Sequence, residues 1–205
     1  MVNSAANGSL PHLNALRYPQ RISSSIPDVF EYVPGLTIKY ADADQYLTTY
    51  REEFVPKFPF IPISPDATAL SLHRESPFLF LSIMRVTTPQ SSAIQIATKQ
   101  WFLEQITDQV IIKSKPRLEH LQGILVQLAW GDFHYAAMSQ VTHVLQLAVG
   151  LAVDLRLTKP PGWISYGPKS FAEDACDHKM LPMSTDPHSL DEIRAALGAF
   201  FINSL

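Results

Sequence analysis

Residues 118–135 read LEHLQGILVQLAWGDFHY. The stretch is mostly apolar, yet it carries His120, His134, Gln122, Gln127, Trp130 and Asp132. Wound at about 100° per residue, Leu118, Leu121, Leu125, Leu128 and Ala129 gather on one side, and Ile124 and Val126 broaden it. His120 and Gln127 fall together on the opposite side. The pattern predicts a helix buried over most of its circumference, with a thin polar edge. Gly131 and the DFHYAAM that follows end it, and Ser139 is placed to cap a second helix, QVTHVLQLAVGLAVDLRL. There His143, Gln146, Gly150 and Asp154 form a narrow polar stripe on an otherwise apolar cylinder. Two such helices joined by a short turn make an αα-hairpin.

Working upstream, the punctuation stays helical. Asp42 or Asp44 is placed to cap a helix through DQYLTTYREEF, which Pro56 and Pro59 end. FPFIPISPDATAL, residues 58–70, is interrupted by prolines and reads as an ordered loop. Ser76-Pro77 reads as an N-cap followed by proline at the first helical position, opening FLFLSIMRV, apolar all round and so expected to be buried. Thr88-Pro89 signals a further start, with Ile96, Leu103, Ile106 and Val110 along one face. Pro116 introduces the quoted stretch.

Downstream, residues 159–188 are rich in Pro and Gly and read as a long excursion. Ser189, with Glu192 three residues later, forms a capping box for LDEIRAALGAFFINSL. Ile193, Ala196, Leu197, Phe200 and Phe201 lie at helical spacing there, with Ala199 and Ile202 widening the face. Strand signals are scarce, so the predicted class is all-α: a multi-helix domain over residues 28–205 with a central αα-hairpin. Residues 1–27, rich in Ser, Asn, Ala and Pro without periodicity, read as a linker or disordered arm.

Composition narrows the function. With 46% hydrophobic and 17% charged residues the chain can bury a core, and its formal charge of −3 is no polyanion-binding signature. No basic region precedes an apolar run at the N-terminus, and VLQLAVGLAVDL falls short of the roughly 20 residues a membrane span needs. The single cysteine, Cys176, excludes an internal disulfide and a multi-cysteine metal cluster within these residues, and favours a reducing compartment.

Catalytic signatures are lacking: no GxGxxG, GxxxxGK[ST], GxSxG or HExxH occurs. Asp174, Cys176, Asp177 and His178 are neighbours in sequence, which does not make a thiolate–imidazole pair. His178 and His188 with Asp177 offer no third or fourth metal ligand at a recognised spacing. No basic residues interleave with Trp101, Trp130 and Trp163, so these read as core residues rather than base-stacking platforms. The candidate ligand or partner surface is therefore the polar edge of the hairpin: His143, Gln146, Asp154, His120 and Gln127.

EHLQGILVQLAWGDFHY followed by VLQLAVGLAVDLRLTKP resembles the paired signature of the fungal-specific transcription factor domain, the middle homology region of zinc binuclear cluster regulators. FPFIPISPDATALSLHRESPFLFLSIMRV and SLDEIRAALGAFFINSL resemble the family's flanking segments, in the same order. The resemblance runs from Pro27 to Leu205. It implies a non-catalytic, nuclear regulatory domain that controls transcription through intramolecular, protein-partner or metabolite contacts. Family members also carry a six-cysteine zinc cluster and basic region, which one cysteine cannot build, and continue for further helices past the position of Leu205. The expectations are therefore no cofactor in this chain, no direct DNA binding, no membrane contact, and a domain incomplete at its C-terminus. The final helix is expected to dock incompletely or to leave an apolar patch open to self-association. The rival readings are a small helical enzyme on an apolar substrate, using a His–Asp pair from the stripe, and a helical protein-interaction adaptor.

Overall fold

A computed structural model describes residues 28–131, 138–158 and 187–205. The described architecture is dominated by helices, as the punctuation predicts, with one small sheet that it does not. Val29–Val33 (β1) and Leu36–Lys39 (β2) pair antiparallel, with Phe30 opposite Ile38 and a bulge between Glu31 and Val33. Val33-Pro34-Gly35-Leu36 makes the corner. Proline pre-sets its second position, and Gly35 takes φ +89° at its third, a conformation that disfavours other residues. Phe30, Tyr32 and Ile38 point into the core while Glu31, Thr37 and Lys39 face out.

Seven helices are described in full or in part: α1 (Tyr40–Thr49), α2 (Ala69–Glu75), α3 (Pro77–Thr87), α4 (Ser92–Ile106), α5 (Leu118–Trp130), α6 (Met138–Asp154) and α7 (Leu190–Asn203). α1 and α4 each widen into a π-helical continuation, Tyr50–Phe54 and Thr107–Ile112. α5 is the axis: it packs against α3, α6 and α7, while α1 and α2 cover α3 from the other end of the chain. Every residue from Glu119 to Leu128 is buried, so the reading of a helix enclosed over most of its circumference holds. Leu47, Tyr50, Ile61, Phe80, Ile83, Phe102, Leu121, Ile124, Leu125 and Leu151 form the interior.

Several start signals act differently from their sequence reading. α1 begins at Tyr40, so neither Asp42 nor Asp44 caps it; Asp44 Oδ1 instead accepts the Ala69 amide at 2.6 Å, holding the first turn of α2. α2 itself opens on a Thr68–Ser71 capping box inside what reads as the end of a loop. Thr88 ends α3, and α4 starts only at Ser92, capped by Ser91. Its buried face is Thr98, Phe102 and Ile106, and Ile96, placed on that face by spacing, is 70% exposed. Ser139 lies within the first turn of α6 rather than before it. By contrast, Ser189 and Glu192 form the reciprocal box expected of them, at 2.7 and 3.2 Å. His134, Cys176, His178 and the cluster around them lie outside the described residues.

Candidate functional site

α3 and α5 come close because Gly123 lacks a side chain: a Cβ there would lie 2.6 Å from the Phe78 ring and 2.7 Å from Ser82 Oγ. Close approach brings the backbone of α3 against α5, and its polar groups need partners. α5 supplies them. Gln127 Nε2 donates to the Ser82 carbonyl at 2.7 Å, and Gln127 Oε1 accepts from Arg85 Nη1. Glu119 Oε2 accepts the Phe78 amide at 3.0 Å, capping α3 from 41 residues away, where Ser76 makes no side-chain cap. Arg117 pairs with the same carboxylate at 2.9 Å. Burial raises the Glu119 pKa, and the Phe78 amide and the Arg117 charge pull it back down.

His120 belongs to this seam. Its Nδ1 accepts the Arg117 amide at 3.1 Å and its ring meets Phe78 edge-on at 5.4 Å. Burial, and then the Arg117 charge, lower its pKa to about 4, so it is neutral near pH 7. A second neutral histidine faces α3 from α2. His73 stacks on Phe80 at 4.7 Å, with Tyr40 Oη 2.8 Å from its Nδ1, and burial lowers its pKa to about 4.

The five predicted surface residues are therefore split. His143 and Gln146 are exposed on α6, and Asp154 is half-buried near its end. His120 and Gln127 are buried, which corrects their reading as an outer edge. The side of α5 opposite the leucine cluster faces another helix rather than water, and its polar residues satisfy that helix. Sequence spacing places them together but says nothing of what lies opposite. The polar groups on the α3 side, Arg85 and Ser82, carry no signal beyond being polar in an apolar run.

The C-terminal helix contributes the other notable surface. α7 packs on α5 and α6 through Ala195, Gly198 and Ala199; a Cβ at Gly198 would stand 2.8 Å from Phe60 Cβ. With the small residues inward, the large ones point out. Leu190, Ile193, Leu197 and Phe200 form an exposed row, with Phe200 75% exposed. Phe201 extends it toward Phe60, at 5.4 Å between ring centres. The expected stripe is thus the outer face, and of its members only Ala199 is buried. Asp191, Glu192 and Arg194 flank it.

Among the described residues no group of three or more His, Cys, Asp or Glu side chains is placed to hold a metal, and no helix is long and apolar enough to cross a membrane. His143 and Asp154 stand 11 positions apart on α6, about 16 Å along the axis at 1.5 Å per residue, too far to act as one catalytic pair.

Comparison with curated proteins finds similarity to fungal transcription factors. The chain is 31% identical over 135 residues, 66% of its length, to the transcription factor himD of Aspergillus japonicus. It is 29% identical over 128 residues to a transcription factor of Aspergillus terreus, and 31% identical over 121 residues to the transcription factor opdL of Penicillium oxalicum. It spans 22%, 21% and 21% of those proteins' lengths. No family model matches the chain, and no solved structure does. The chain is thus similar to a fifth of several fungal transcription factors.

Proposed function

We propose that this chain is a non-catalytic regulatory segment of a fungal transcription factor, acting in the nucleus in the manner of the middle homology region of zinc binuclear cluster regulators. The observation that carries the proposal is the similarity over two thirds of the chain to a transcription factor, with two others matching nearly as much of it. The described fold is consistent with it: a helical scaffold whose polar groups are engaged internally, presenting an apolar row on α7 and a polar one on α6.

On this reading the chain itself binds neither zinc nor a specific DNA sequence, since it carries one cysteine and a formal charge of −3. It works on a DNA-reading partner or on other proteins through the outer face of α7, with His143 and Gln146 on the neighbouring α6 as a secondary contact. The same α7 face would support self-association of the isolated chain. The test is to fuse residues 28–205 to a heterologous DNA-binding head in a fungal host. Reporter output several-fold above or below that of the head alone supports the proposal. Output equal to the head alone, or a stoichiometric zinc content or specific footprint for the purified chain, overturns it.

A further inference from the structure

Three serine or threonine residues of this chain stand directly before a proline: Ser64, Ser76 and Thr88. The fold separates them sharply. Ser76 is the half-buried N-cap residue of α3. Thr88 closes the same helix, with its Oγ1 fully buried. Ser64, Pro65 and Asp66 are all exposed, in the loop between α1 and α2.

Ser64-Pro65-Asp66-Ala67 is a β-turn, with the Ala67 amide donating to the Ser64 carbonyl at 3.1 Å and proline in the position that its fixed φ favours. The Asp66 amide also leans on Ser64 Oγ, at 3.4 Å. One side chain fastens this turn to the helical body. Arg51 Nη2 donates to the carbonyls of Ser64 and Ala67, both at 2.6 Å, and Nε donates to that of Ile63 at 3.4 Å. Nη1 donates to none of these carbonyls, so the guanidinium that already reaches the Ser64 carbonyl through Nη2 retains donors not used by the turn.

We propose that Ser64 is a phosphorylation site for a kinase that requires proline after its acceptor, and that Arg51 receives the phosphate. In the transfer, Ser64 Oγ attacks the γ-phosphorus of ATP. The Oγ–P bond forms as the bond to the departing ADP oxygen breaks, and the hydroxyl proton passes to the kinase's base. The product adds about two negative charges and three acceptor oxygens next to a half-buried guanidinium. Guanidinium and phosphate match in geometry, so the pair forms on Nη1 while Nη2 keeps its carbonyls. Phosphorylation then locks the 58–67 loop onto the helical segment that carries Arg51.

The experiment treats the whole purified chain with a proline-directed kinase and ATP, maps the phosphate by mass spectrometry, and follows cleavage after Lys57, exposed in this loop, by a lysine-specific protease. The expected result is one phosphate on Ser64, lost in Ser64→Ala and in Pro65→Ala, with cleavage after Lys57 slowed several-fold. In Arg51→Gln, phosphate is still incorporated but phosphorylated and unphosphorylated chains are cleaved at equal rates. Absence of label at Ser64, label at Ser76 or Thr88 instead, or protection that survives in Arg51→Gln overturns the proposal. Circular dichroism of each variant separates these outcomes from misfolding.

Discussion

α5 and α7 solve the same packing problem in opposite directions. Both use glycine to bring a helix close: Gly123 admits Phe78 and Ser82, and Gly198 admits Phe60. In α5 the approach encloses everything around it, large side chains and polar groups alike, and Glu119 and Gln127 find hydrogen-bond partners on α3. In α7 only the small residues go in, and Leu190, Ile193, Leu197 and Phe200 are left in water. A soluble surface seldom carries a contiguous apolar row unless something is meant to meet it. The contrast teaches that hydrophobic periodicity identifies a face without saying which side of it is the core.

The contrast can be broken first with one substitution made in both places. Phe80→Ala removes a ring that is wholly buried between Phe30 and His73, and should cost about 3–5 kcal/mol in denaturant unfolding. Phe200→Ala, on the outer row of α7, should change the same measurement by no more than about 0.5 kcal/mol. Equal costs would mean that the α7 row is covered. Next in size is Gly123→Ala, which forces Phe78 to move and should cost about 1–3 kcal/mol.

A smaller effect sharpens the description of the α3 surroundings through pH. His73 and His120 have pKa values lowered from 6.5 to about 4 by burial. Above pH 6.5 both are neutral whether the chain is folded or not, so their full contribution is present there. As pH falls toward 4 the unfolded chain takes up protons that the folded chain refuses, and stability declines. Glu119 acts the other way: its raised pKa contributes stability below its ordinary value of 4.5 that is lost as pH rises through the raised one. The melting temperature should fall between pH 6.5 and 4, and fall less steeply in His73→Gln. Identical profiles for the parent chain and His73→Gln would show that the His73 ring is not enclosed. Least of all, His143→Ala on exposed α6 should leave the melting temperature within about a degree or two, consistent with a change below 0.5 kcal/mol.

What could be read in advance depended on whether the signal was local. The Ser189–Glu192 box, the Ser76-Pro77 start and the Gly131 stop are contacts or constraints within a few residues, and each falls where the sequence puts it. The β1–β2 hairpin was also local: Pro34-Gly35 between Phe30, Tyr32 and Ile38 is a turn between alternating residues, overlooked because the surrounding chain is helical. Asp44 and Glu119 could not be read, because each caps a helix far away in sequence: α2 for Asp44, α3 for Glu119. His120 and Gln127 fall together by spacing and read as an outer contact edge, since nothing in their own helix reveals that α3 covers them. The inversion of α7 has the same origin. Ala195, Gly198 and Ala199 dock because Phe60, Leu125 and α6 leave room only for small groups.

On the proposed function, transcriptional control runs through the outer face of α7. The direct measurement is reporter output from residues 28–205 fused to a DNA-binding head, compared with the double variant Leu197→Glu, Phe200→Glu, at matched protein level and melting temperature. Both residues are exposed, so the fold should persist while the apolar row is destroyed. The effect on output relative to the head alone should collapse several-fold toward that of the head. Undiminished output from a folded double variant would contradict it, and would move the regulatory contact elsewhere on the molecule.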